Sequence, residues 1–130
     1  MSTELQGLQS SRAYKLSLDA EGDVTKHAAV IPGTADNEVA MPTAADQATM
    51  GITECAAADG ETVDVITHGP AIAVAGAAVA VNALVKIAGT SGKVITATPG
   101  SGVRCVGRAL SSAAADGDYI TVFVEPGHIA

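Results

Sequence analysis

The chain has almost no aromatic side chains, with one Phe, two Tyr and no Trp in 130 residues. A core without large rings must be assembled from Ala, Val, Ile and Leu. Burying a large aliphatic side chain contributes about 1.5 to 3 kcal/mol and burying Ala far less, so part of the stability is expected to come from a partner surface. Long apolar runs are also missing. Residues 71–83 are apolar but fall short of the roughly 20 residues that span a bilayer, and "MSTELQGLQSSR" lacks the basic and apolar regions of a signal peptide. No membrane partner is expected, and synthesis in the cytoplasm is. Bases are scarce, seven Lys and Arg against fourteen acids for a net charge of −7, and the acids lie almost entirely beyond residue 18. Such a body repels phosphate backbones, which argues against a nucleic-acid partner. Cysteine is limited to Cys55 and Cys105, without the CxxC spacing of zinc or redox sites. Both read as small buried thiols.

What is present is short runs of Val, Ile and Thr, broken by Gly, Pro, Asp and Asn every eight to twelve residues or so, the pattern of an all-β sandwich or barrel. Candidate strands are "KHAAVI", "NEVAMP", "TMGITE", "ETVDVIT", "LVKIA", "GKVITAT", "VRCVGRALS" and "DYITVFV", with "YKLSL" as the only alternating stretch near the N-terminus. The Ala-rich "AIAVAGAAVAVNAL" reads as strand, turn, strand, because Gly76, β-branched residues and the lack of a polar face oppose a helix. The length suits one domain with one core. The expected organisation is an extended N-terminal arm over residues 1–20 and a single β-domain over 21–130.

"CAAADGETVDVI" and "SAAADGDYITVF" repeat one another, and "PGTADNEVA" resembles "AGTSGKVI". About 30–69 and 85–127 therefore read as two copies of one β-unit packed together. The repeated Asp59-Gly60 and Asp116-Gly117 are expected to form turns, since Gly takes positive φ without steric cost and Asp hydrogen-bonds its own turn.

Sites for chemistry are weak. "GTSGK" at 89–93 lacks the spacing, the hydroxyl residue and the following helix of a phosphate loop, and reads as a hairpin turn. His27, His68 and His128 share no ligand spacing and read as solvated surface groups, with Glu125 three residues before His128. Ser10, Ser11, Ser111 and Ser112 lack a nucleophile signature, and neither Lys86 nor Lys93 sits in a cofactor-attachment motif. No catalytic residue, no metal and no cofactor is expected. A hydrolase using Asp59 and Asp116 as a pair would need them to converge in one cleft.

From about residue 63 to 127, the V-x-V strand ending at Gly69, "AGAAVAVNALVKI", the "GKV" strand opening, "VGRAL" and "AADGDYITVFV" resemble the capsid cement, or head-decoration, proteins of tailed bacteriophages. The resemblance implies a β-tulip-like fold and a non-enzymatic protein of the virion. It would bind the major capsid protein on the outer surface of the head, stabilise contacts between coat subunits, and assemble as a homo-oligomer, commonly a homotrimer. In that setting the arm would supply the capsid contact, with Leu5, Leu8 and Tyr14 as apolar anchors and Arg12 and Lys15 meeting acidic coat surface. Deleting residues 1–18 is then expected to leave a folded domain. The alternative is a carbohydrate-binding or adhesion module, for which Tyr14, Tyr119 and Phe123 are the available aromatics.

Overall fold

Alternating side chains build strands wherever the sequence alternates. The computed structural model describes residues 13–130 and contains nine of them: β1 (Tyr14–Ala20), β2 (Ala29–Pro32), β3 (Glu38–Ala40), β4 (Gly51–Thr53), β5 (Thr62–Val74), β6 (Leu84–Ile87), β7 (Val94–Thr96), β8 (Gly107–Ala109) and β9 (Tyr119–Val124). No helix occurs among the described residues. The fold is all-β.

The strands run in the order β1-β3-β2-β4-β5-β9-β8-β6-β7, and β1 also pairs with β5. That last pairing closes the first five strands into a barrel, with Leu16 opposite Val65 and Leu18 opposite Val63. The stretch Tyr14–Ala20, expected within the arm, is thus a strand of the sheet. Removing residues 1–18 would strip most of β1 and open the barrel, so that truncation is not neutral to the fold.

Strand β5 has 13 residues and serves twice. Residues 62–68 pair with β1 and β4, and Gly69–Val74 pair with β9. The V-x-V strand therefore does not end at Gly69. Pro70 has no N–H to donate and sits where the strand exchanges one set of partners for another, so the sheet tolerates it. A second barrel follows from β5, β9, β8, β6 and β7, its two ends drawn together by a parallel bridge between Ala75 and Val94.

The hydrogen bonding of the first barrel recurs in the second with a shift of about 55 to 57 residues. Ala20 N–H donates to Glu61 and Ala75 N–H to Asp118; Gly60 N–H donates to Ala20 and Gly117 N–H to Ala75. The bridge from Val24 to Ala57 has its counterpart from Val79 to Ala113. Even the left-handed backbone recurs, at His27 (φ 58°) and Asn82 (φ 72°).

Two buried clusters take the place of one core. Ala20, Val24, Val30, Val39, Val63 and Val65 fill the first barrel. Ala71, Ala73, Val85, Val106, Ile120 and Val122 fill the second, and their cluster also takes in Ala29, Ile52 and Ile66, which point outward from the first. The division follows from alternation along β5: Val63 and Val65 face one interior, while Ile66, one residue on, faces the neighbouring barrel.

Candidate interaction surface

Leu5, Leu8 and Arg12 lie outside the described residues. Tyr14 is 64% exposed and stands edge-on to His68, ring centroids 6.4 Å apart. Lys15 pairs with Glu54 at 2.9 Å across the barrel wall, and Leu16 is exposed beside them. Tyr14, Lys15 and Leu16 thus share the start of β1, at the point where the N-terminal segment enters the sheet.

Asp59-Gly60 and Asp116-Gly117 occupy corresponding turns, with φ of 84° and 94° at the glycines. The Asp59 carboxylate accepts the N–H of Gly22, and the Asp59 N–H donates to Asp23. Asp116 instead pairs with Lys93 at 2.9 Å. Among the described residues the two acids have no partner in common, and each serves its own barrel.

Other polar groups are equally dispersed. Among the described residues no three His, Cys, Asp or Glu side chains gather as metal ligands would. The "GTSGK" stretch is the turn between β6 and β7, and it borders an open hollow of about 250 Å³ with Asp116. Glu21 accepts hydrogen bonds from the Thr34 hydroxyl and N–H, which hold its carboxyl below the usual range. Cys105 is buried, and burial pushes its thiol up. Cys55 is exposed, contrary to the expected pair of buried thiols, because the loop after β4 turns it away from the interior.

The contact between barrels combines polar and apolar groups. The Ala29 N–H donates to the Gly92 carbonyl in the β6–β7 turn at 2.8 Å. A side chain at Gly92 would collide with Ala28 and Met41, so the turn comes this close because none is there. Asp46 reaches Lys86 at 2.7 Å. His27, expected at the surface, is half-buried here with its ring edge-on to Tyr119 at 5.8 Å and, among the described residues, no hydrogen-bond partner on Nδ1. Burial, and then the neighbouring Lys26, push the imidazole below its ordinary value.

Charge and apolar surface are divided between the barrels. Residues 13–68 carry ten acids and two lysines, net −8, whereas residues 69–130 carry three acids and four bases, net +1. Exposed Leu110, Tyr119, Phe123 and Ile129 all belong to the second half. In the sequence Tyr119 and Phe123 stand out only as aromatics for a sugar platform, not as one apolar surface with Leu110 and Ile129. Its signal was the alternation in "DYITVFV", which puts Ile120, Val122 and Val124 inside and Tyr119, Thr121 and Phe123 on the opposite face.

A family model described as phage cement protein matches residues 8–126. No curated protein sequence matches the chain. Among solved structures, the head fiber gp8.5 N base of bacteriophage phi29 superposes with a TM-score of 0.65 at 16% identity, covering 86% of this chain and 93% of that one. At that identity the likeness concerns the fold.

Proposed function

This chain belongs to the phage cement protein family, and on that premise we propose that it binds the outer surface of a phage head and stabilises contacts between coat subunits. Membership makes it a structural phage head protein. The finer reading, that its partner is the major capsid protein, that it works as a homo-oligomer with a trimer favoured, and that it catalyses no reaction, is ours. The match over residues 8–126 carries it. Two features support it: an apolar and basic entry to β1 at Tyr14, Lys15 and Leu16, and exposed apolar side chains on the second barrel.

In this reading residues 1–12 and the start of β1 form the capsid contact, with Leu5, Leu8 and Tyr14 as apolar anchors and Arg12 and Lys15 as cations. Fixing a peptide segment costs roughly 1 to 2 kcal/mol per residue in backbone entropy. An oligomer offsets that cost, because each further attachment becomes intramolecular. The truncation that tests this stops at residue 12, ahead of β1. The shortened protein should keep the thermal midpoint of the full chain and lose co-sedimentation with expanded heads. Full retention of head binding would remove the N-terminal segment from the contact. Heads without the protein should also break at lower temperature than decorated heads, and equal resistance would end the stabilising role.

A further inference from the structure

The two barrels meet through an asymmetric contact that the duplicated architecture leaves open at one end. On the outer face of the first barrel, Lys15, Ile66, Ile52 and Ala29 form a row across β1, β5, β4 and β2. Ile66, Ile52 and Ala29 are completely buried, because the second barrel covers them and its β6–β7 turn hydrogen-bonds at Ala29. The corresponding row of the second barrel is Pro70, Phe123, Arg108 and Leu84, across β5, β9, β8 and β6. Among the described residues nothing covers its centre. Phe123 is 43% exposed, Arg108 is exposed and Leu84 half-buried.

We infer that this second row is the docking surface for the first barrel of another copy of the chain, entered by that copy's β2–β3 turn. The occupant follows from continuity with the junction inside the molecule: residues 33–37 form the turn that corresponds to the β6–β7 turn, and Asn37 (φ 59°) stands where Gly92 (φ 76°) does. Charge selects the same partner. The open row presents Arg108 on the barrel of net charge +1, and the incoming turn presents exposed Asp36 on the barrel of net charge −8. Opposed fields of this kind steer association and fix orientation. Leu84 stands at the position of Ala29 and Asn37 at that of Gly92, so the incoming turn cannot approach as closely as the β6–β7 turn does within a chain, and the looser seat suits reversible association.

The contact is head to tail, since each copy uses one surface to give and a different one to receive. Such contacts close into a ring when the rotation permits and otherwise extend into a chain. The inference deepens the homo-oligomer reading above. It is tested in solution with no head present, so its failure and the failure of head binding are read separately.

The experiment is sedimentation velocity of the full chain over a concentration series, at low and at moderate salt. The wild type should associate, more weakly as salt rises. Phe123→Asp and Arg108→Asp should each weaken association by about tenfold or more, with unchanged thermal midpoints showing that the barrels remain folded. Asp36→Arg should do the same, and combining Asp36→Arg with Arg108→Asp should recover much of the loss. A wild type that stays monomeric at high concentration and low salt overturns the proposal. So does either surface variant associating like the wild type, or a reversed pair no better than its single members.

Discussion

At the scale of single residues, His27 shows how a small environment sets a measurable property. Its left-handed backbone and half-buried ring were not legible in "TKHAAVI", because the sequence does not say that a second barrel will lie over that loop. Since burial favours the neutral ring, the unfolded chain holds the proton more tightly than the fold does. Stability is therefore unaffected well above the ordinary value of 6.5 and is lost as pH falls through 6.5 toward the lowered value of the fold. His27→Asn, which installs the residue found at the matching position 82, should flatten the dependence of thermal midpoint on pH between about 7.5 and 5.5. An unchanged slope would assign that dependence elsewhere. Gly107 is a harsher case. A Cβ there would run into the backbone carbonyl of Phe123 on β9, which cannot move without breaking the sheet. Gly107→Ala should therefore cost about 3 kcal/mol or more, as overpacking against rigid surroundings does, seen as a large drop in urea midpoint or loss of soluble protein. Asp116→Ala should behave oppositely: it removes an exposed ion pair with Lys93 and should cost under about 1 kcal/mol.

At the scale of elements, most strands were legible because one face of each is buried, and burial of one face writes itself into the sequence as alternation. "DYITVFV" and "ETVDVIT" became β9 and the first half of β5 for that reason. The continuity of β5 was not legible. Gly69-Pro70 has the composition of a terminator, and only the arrival of β9 as a new partner shows why the strand runs on through it. Nor could the exposed face of β9 be recognised as surface, since alternation separates two faces without saying which neighbour covers each. Candidate residues fared likewise: the start of β1 was noticed for its alternation, whereas its role in closing a barrel depends on pairing with residues about fifty positions away. Pairing also predicts local stability. Val63 to Ile66 lie between β1 and β4, while β7 is bound to β6 and, through one bridge, to Ala75. In hydrogen exchange the β5 amides should open only with global unfolding, and those of β7 several hundredfold faster, by local fraying. Equal protection of β7 and central β5 would contradict this.

At the scale of the whole molecule, the question is whether two barrels behave as two bodies or one. Each has a filled interior, which favours independence. Against that, β5 is a continuous strand of both, and Ile66, Ile52 and Ala29 are core residues of the second barrel's cluster although the first barrel supplies them. The pair between half-buried Lys86 and exposed Asp46 lies near the surface, where ion pairs contribute about 1 kcal/mol or less. Coupling therefore rests on apolar burial and on shared backbone, and it should be insensitive to salt. Heating should produce one transition whose calorimetric and van't Hoff enthalpies agree. Ile66→Ala empties a fully buried site at the junction and should cost about 2 to 5 kcal/mol. If the barrels are one cooperative unit, that loss lowers the single midpoint by about 10 °C or more while the transition stays undivided. If they are two bodies joined by a strand, the same substitution splits the endotherm, with the second barrel melting first because Ile66 belongs to its cluster, and the account of β5 as a shared structural member fails.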